Sequence, residues 1–162
     1  MNTTSTATLL HQTFQCLIEQ LVANLQEAGY RDIRVAHSRV FEHLPATGAR
    51  VARMAEAAQM TQQSMTELVE YLELLGYVER LPDPRDGRAK LVRLTKTGER
   101  LSAAGRQAMR RIDASWEARL GKDRMREMRS ALSDVLEFSG RRLGPTSALA
   151  QAPRKGKAAK RK

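Results

Sequence analysis

The sequence predicts a mainly α fold interrupted by one two-stranded hairpin, and three features carry that expectation. Apolar residues recur at spacings of three and four from Leu10 to Leu25, from Met65 to Leu75 and from Leu101 to Leu120. Residues 77–81 and 91–94 are instead short β-prone runs. Between those runs lie Pro82, Asp83, Pro84, Arg85, Asp86, Gly87, Arg88 and Lys90, a charged turn rich in chain-reversing residues. A lone hairpin is marginal in water, so this one must lean on neighbouring helices.

The elements follow in order. Residues 3–28 form the first predicted helix. Its stripe is Leu10, Phe14, Leu17, Leu21 and Leu25, widened by Leu9, Ile18 and Val22, and Gly29 ends it. A second helix is expected over 31–43, with Ile33, Val40 and Phe41 as apolar contacts, and Leu44-Pro45-Ala46-Thr47-Gly48 breaks it. Residues 49–58 give a third, with Val51, Met54, Ala55 and Ala58 on one face. Met60 closes a tight turn, and Thr61 is a good N-cap for a fourth helix over 62–75. That helix buries Met65, Leu68, Val69, Leu72 and Leu75, turns Gln62, Gln63, Thr66 and Glu67 outward, and stops at Gly76.

In the hairpin, Asp86-Gly87 is the strongest turn signal. Thr95 can then cap a long helix across 98–120, whose inner face is Leu101, Ala104, Ala108, Ile112, Trp116 and Leu120. Gly121 interrupts, and a last helix is expected over 122–142, with Met125, Met128, Leu132, Val135, Leu136 and Leu143 at helical spacing. A helix–turn–helix followed by a basic hairpin is a winged helix-turn-helix, an architecture that usually binds DNA.

Charge points to a polyanion. The chain of 162 residues carries a net +10; six of those charges lie in residues 143–162, which contain no acid, leaving +4 elsewhere. That tail lacks periodicity and is expected to be disordered. No long unbroken apolar run suggests a membrane span, and the first residues lack the features of a secretion signal. The single cysteine, Cys16, cannot form an internal disulfide, which fits the reducing cytoplasm.

The segment VARMAEAAQMTQQSMTELVEYLELLGYVERLPDPRDGRAKLVRLTKTG, residues 51–98, resembles the MarR family of bacterial transcriptional regulators. The resemblance rests on the AEAA-x-MT helix-turn-helix, the LVEYLELLGYVER recognition helix and strand, the D-x-x-D-x-R wing and the closing LTKTG. Flanking helices of suitable length extend it over residues 1–142 as one winged-helix domain. It implies a DNA-binding core at about 31–100 and dimerisation helices at about 3–28 and 99–142. The family further implies a homodimer with intertwined first and last helices, each subunit reading half of a palindromic operator in double-stranded DNA. Many members are repressors released by a small aromatic or anionic effector, and some by oxidation of a cysteine in the first helix.

Candidate site residues follow from both lines. Gln62, Gln63, Thr66 and Glu67 suit base edges, since an amide can bond two edges of adenine and a carboxylate can accept from cytosine. Thr61 and Ser64 suit phosphate oxygens at the same helix end. Arg85 and Arg88, with Lys90, suit a narrow minor groove, and equally keep an exposed hairpin soluble. By resemblance, Asp86 holds Arg88 through a salt bridge. Gly87 departs from the arginine that members often carry, which removes one contact.

Arg34, His37 and Arg39 lie on the helix that, by resemblance, lines an effector cavity. A histidine there is more commonly satisfied by a backbone carbonyl. Cys16 occupies the redox-sensing position, but no cation sits near it in sequence, which favours inert packing. The histidines show no metal-ligand spacing, and nothing calls for a cofactor. No nucleophile, base and orienting group recur together, so the reading is not an enzyme. The expected function is a dimeric, ligand-responsive repressor acting at the bacterial nucleoid. The lysine-rich tail supports an alternative, a sequence-indifferent architectural DNA-binding protein.

Overall fold

In the computed structural model, which describes residues 4–140, Ser5 caps the first helix by accepting from the Thr8 amide. This helix, α1, spans Thr6–Glu27 and buries Ile18, Leu21, Val22 and Leu25. Its earlier turns leave Leu9, Leu10 and Phe14 exposed.

The single helix expected over 31–43 is broken in two. Residues 31–34 are not helical; Val35–His37 make one 3₁₀ turn, and α2 is Ser38–His43. Two local bonds hold the non-helical path. The Gln26 amide donates to the Ile33 carbonyl at 2.9 Å, and His37 Nδ1 accepts the Arg34 N–H at 3.1 Å. Side-chain groups that bond nearby backbone in this way compete with the helix ladder.

The third helix is also shorter than expected. Gly48 adopts φ +86, and an added Cβ there would lie 2.8 Å from the Val92 carbonyl oxygen. This close approach sets Ala49 beside Val92, with which it exchanges backbone bonds of 3.0 and 2.8 Å. Helix α3 therefore begins later and runs Val51–Ala57. The chain reverses through Gln59, at φ +53, into α4, Gln62–Leu74.

Strands β1, Val78–Asp83, and β2, Asp86–Leu94, pair antiparallel from Val78 opposite Leu94 to Pro82 opposite Lys90. Both extend further toward the tip than the apolar runs suggest. The reversal falls at Pro84-Arg85, not at Asp86-Gly87, because Asp83 Oδ1 accepts the Arg85 amide at 2.9 Å and so supplies the turn itself. The register shifts after Pro82, whose missing N–H interrupts the ladder, and pairing resumes with Asp83 opposite Asp86.

Helix α5 spans Lys96–Leu120, and α6 spans Lys122–Phe138 after Gly121 at φ +86. Thr95 caps α5 and ties three elements together. Its hydroxyl accepts from the Gly98 amide at 3.1 Å and donates to the Gly76 carbonyl at 2.6 Å, while its own N–H donates to the Tyr77 carbonyl.

The core joins α1, α2, α3, α4, the base of the hairpin and α5; Val40, Leu44, Met65, Val69, Leu72 and Val92 are completely enclosed. The apolar face expected on the last helix is mostly uncovered in a single chain. Met125 is buried, but Leu132, Val135, Leu136 and Phe138 are exposed. The first helix starts at Thr6, where Ser5 caps it, rather than at residue 3, and the last stops at Phe138, short of the expected 142, as Gly140 takes φ +70; the expected tail at 143–162 lies outside the described residues. No helix among the described residues is long and apolar enough to cross a membrane.

Candidate nucleic-acid interface

Helix α3 packs on α4 across the tight turn, and the positive φ of Gln59 lets the chain turn that sharply. Thr61 Oγ1 accepts the Ser64 amide at 3.1 Å and donates to Ser64 Oγ at 2.9 Å. Both hydroxyls expected at phosphates are thus engaged in the cap while remaining at the start of α4. Gln62, Gln63 and Glu67 are exposed on the first two turns; Thr66 is half-buried. Gln63 Nε2 donates to Glu67 Oε1 at 3.2 Å, and the Thr66 hydroxyl donates to the Gln62 carbonyl at 2.8 Å. The helix N-terminus adds a partial positive charge on the same side, with the first-turn N–H groups other than that of Ser64 left outside the helix ladder.

Arg85, Arg88 and Lys90 are all exposed on the hairpin. Asp86 does not form the expected ion pair with the Arg88 side chain. Its Oδ1 accepts the Arg88 backbone N–H at 3.2 Å, and its Oδ2 accepts from Arg50 Nη2 at 3.3 Å. Arg50, the residue just before α3, is the cation the sequence reading missed. Its Nε and Nη2 also reach a single oxygen of Asp83, at 2.8 and 2.6 Å. Asp83 is buried; the Arg85 amide, and after it the Arg50 guanidinium, hold its carboxyl below the usual value. The hydrogen bond to Asp83 in turn leads in raising the Arg50 pKa.

The hairpin is fastened to α4 as well, since Arg80 lies 3.6 Å from Glu70 and 3.2 Å from Glu73. The hairpin is therefore fixed to the helical body at four places: these ion pairs, the Arg50 links to Asp83 and Asp86, the Ala49–Val92 bridge and the Thr95 hydroxyl.

The candidate effector residues divide. His37 is buried and stacked on Tyr71 of α4, and the Arg34 guanidinium lies over the same ring, 5.9 Å from its centroid. The partner of His37 is the Arg34 N–H rather than the expected carbonyl, so Nδ1 is the acceptor. Burial, then the Arg34 charge, lower its pKa, which favours the neutral ring. Arg39 is exposed and shares none of these contacts. Cys16 is exposed on α1, against the expectation that it packs as a small hydrophobe.

Residues 31–89 match the model of the MarR family. No curated protein sequence matches the chain. Among solved structures, the reduced form of MarR from Escherichia coli is similar at TM-score 0.72 and 24% identity, over 82% of this chain and 97% of that one. A transcriptional regulator from Thermotoga maritima is similar at TM-score 0.60 and 21% identity, over 82% of this chain and 94% of that one. A mutant of Staphylococcus aureus MepR bound to an oligodeoxyribonucleotide matches at TM-score 0.55 and 20% identity, over 84% of this chain and 99% of that one. The fold is that of the MarR winged helix.

Proposed function

From a chain that carries the MarR-family segment and the MarR fold, we propose a dimeric, sequence-specific DNA-binding regulator. The observation that carries this reading is one rigid body presenting two kinds of DNA-reading group. The exposed amides of Gln62 and Gln63 stand at the free end of α4, and the exposed guanidinium groups of Arg85 and Arg88 stand on a braced wing. Two copies would set recognition helices into successive major grooves of a palindromic operator, about 34 Å apart. The uncovered apolar residues of α1 and α6 supply the surface for pairing.

The regulator would act as a repressor in the bacterial cytoplasm, with DNA rather than a chemical substrate as its target. Of the residues expected to line an effector cavity, only Arg34 borders the apolar crevice formed by Leu21, Leu25, Ile33 and Phe41, and its free space is about that of one water, so a small aromatic or anionic effector would have to open the packing between α1, α2 and α5. An effector there would favour one spacing of the two recognition helices over another.

Selection of duplexes from a randomised library, followed by titration of the winner and a scrambled control at one salt concentration, tests the reading. An affinity gap of about 10³ or more is expected. A gap below tenfold would hand the function to sequence-indifferent DNA binding.

A further inference from the structure

Asp83 and Asp86 are used in the same way. Each gives one carboxylate oxygen to the backbone N–H two residues ahead, Asp83 to Arg85 at 2.9 Å and Asp86 to Arg88 at 3.2 Å. Each gives its other oxygen to Arg50, at 2.6 and 3.3 Å from Nη2. A single guanidinium, 33 residues away from Asp83 in sequence, therefore bridges two carboxylates that each fix the backbone at a wing arginine. The two links differ. Asp83 is buried, and its oxygen takes two bonds from Arg50; the Asp86 side chain is 45% exposed and takes one longer bond. A planar fork of donors can serve both acceptors at once, which an ammonium cannot do with the same geometry.

We propose that Arg50 is the positioning residue of the wing, acting on DNA through the backbone at Arg85 and Arg88 rather than by touching DNA itself. Because Arg50 directly precedes α3, and α3 packs on α4, the bridge sets the tip arginines in register with the recognition helix. The proposal rests on the reading of this surface as a DNA interface, and its test separates the two.

The first measurement needs no DNA. Amide exchange is followed at Arg85, Arg88 and, as internal reference, Val69. Arg50→Ala should speed exchange at Arg85 and Arg88 by about tenfold or more, the loss expected when a hydrogen bond held by a charged brace opens, and leave Val69 unchanged. Asp86→Ala should speed Arg88 alone. Arg50→Lys keeps the charge without the fork and should leave Arg88 fast. Unchanged exchange at both amides in Arg50→Ala, or full restoration by lysine, overturns the bridge. Should Arg50→Ala fail to fold, Arg50→Lys decides: fast exchange at Arg88 upholds the bridge, and wild-type exchange at both amides overturns it.

The second measurement uses a duplex selected by the wild-type chain. Arg50→Ala should weaken binding by about tenfold, comparable with loss of a wing contact. In an Arg85→Ala/Arg88→Ala background the same change should cost less than twofold, because no tip arginine remains to be positioned. An undiminished loss there, with a salt slope lower by about 0.9, would make Arg50 a phosphate contact and sink the proposal. Selection of no duplex by the wild-type chain would overturn the DNA reading, while exchange still decides the bridge.

Discussion

The imidazole of His37 stacks on the ring of Tyr71, with centroids 5.0 Å apart and planes 22° from parallel. Tyr71 belongs to α4, so this pair of a buried histidine and a half-buried tyrosine joins α4 to the segment before α2. Burial and the Arg34 charge lower the His37 pKa from its ordinary 6.5. The unfolded chain takes a proton near 6.5 and the folded chain at lower pH. The stabilisation is therefore complete above pH 6.5 and is lost as pH falls through the folded value. Protonation also removes the Nδ1 acceptor of the Arg34 N–H. Urea midpoints from pH 7.5 to 5 should fall more steeply for wild type than for His37→Asn, which offers a non-titrating acceptor. Parallel curves would remove His37 as the source.

Gly98 and Gly87 make opposite predictions. A Cβ on Gly98 would collide with the Tyr77 carbonyl, which is rigid backbone. Gly98→Ala should cost about 1–3 kcal/mol or more by overpacking. A Cβ on Gly87 meets nothing, and its φ is not positive. Gly87→Ala should stay within about 0.5 kcal/mol of wild type. Denaturant midpoints of the two variants check both statements.

Arg88→Ala should weaken operator binding by about 1–3 kcal/mol while leaving thermal stability alone, since the side chain is exposed. Unchanged binding by gel shift would reduce the wing to a solubilising edge.

The apolar residues left uncovered on α1 and α6 predict a dimer. Sedimentation at micromolar concentration should give twice the chain mass, and Leu10→Glu with Val135→Glu should shift it toward monomer. A well-folded wild-type monomer at that concentration would count decisively against pairing.

Deleting residues 144–162 removes six cations. Non-specific affinity should fall, with a salt slope flatter by about 0.9 per lost phosphate contact, while operator binding persists. Equal loss of both kinds of binding would favour the architectural alternative.

Local signals were readable from the sequence. Thr61 and Thr95 cap the helices they were expected to cap, because capping depends on residues three positions apart. The stripes of α4 and α5 were equally plain, since one helical face decides burial. What failed was set by distant partners. Nothing near Ala49 announces a bridge to Val92, and nothing near Arg50 announces two aspartates more than thirty residues away. The turn was misplaced because Asp86-Gly87 carries the stronger local motif, while Asp83 has the better-placed acceptor. The exposed cations of the wing were readable by type, but the contacts that hold the wing in place were not.

The three-way tie at Thr95 makes one side chain the joint between three elements. Helix α5, with 25 residues, is a rod about 37 Å long, and its near end is pinned by one hydroxyl to the end of α4 and the start of β1. A rod held there keeps its near end beside the end of α4 and the start of the hairpin. Carried along α4, whose first residues lie about 20 Å from that pin, a tilt of roughly 5° displaces Gln62 and Gln63 by about 1.7 Å. Hydrogen bonds to base edges tolerate far less than that. On the proposed reading of α4 as the DNA-contacting helix, a tilt of that size about the Thr95 joint would be enough to break its contacts.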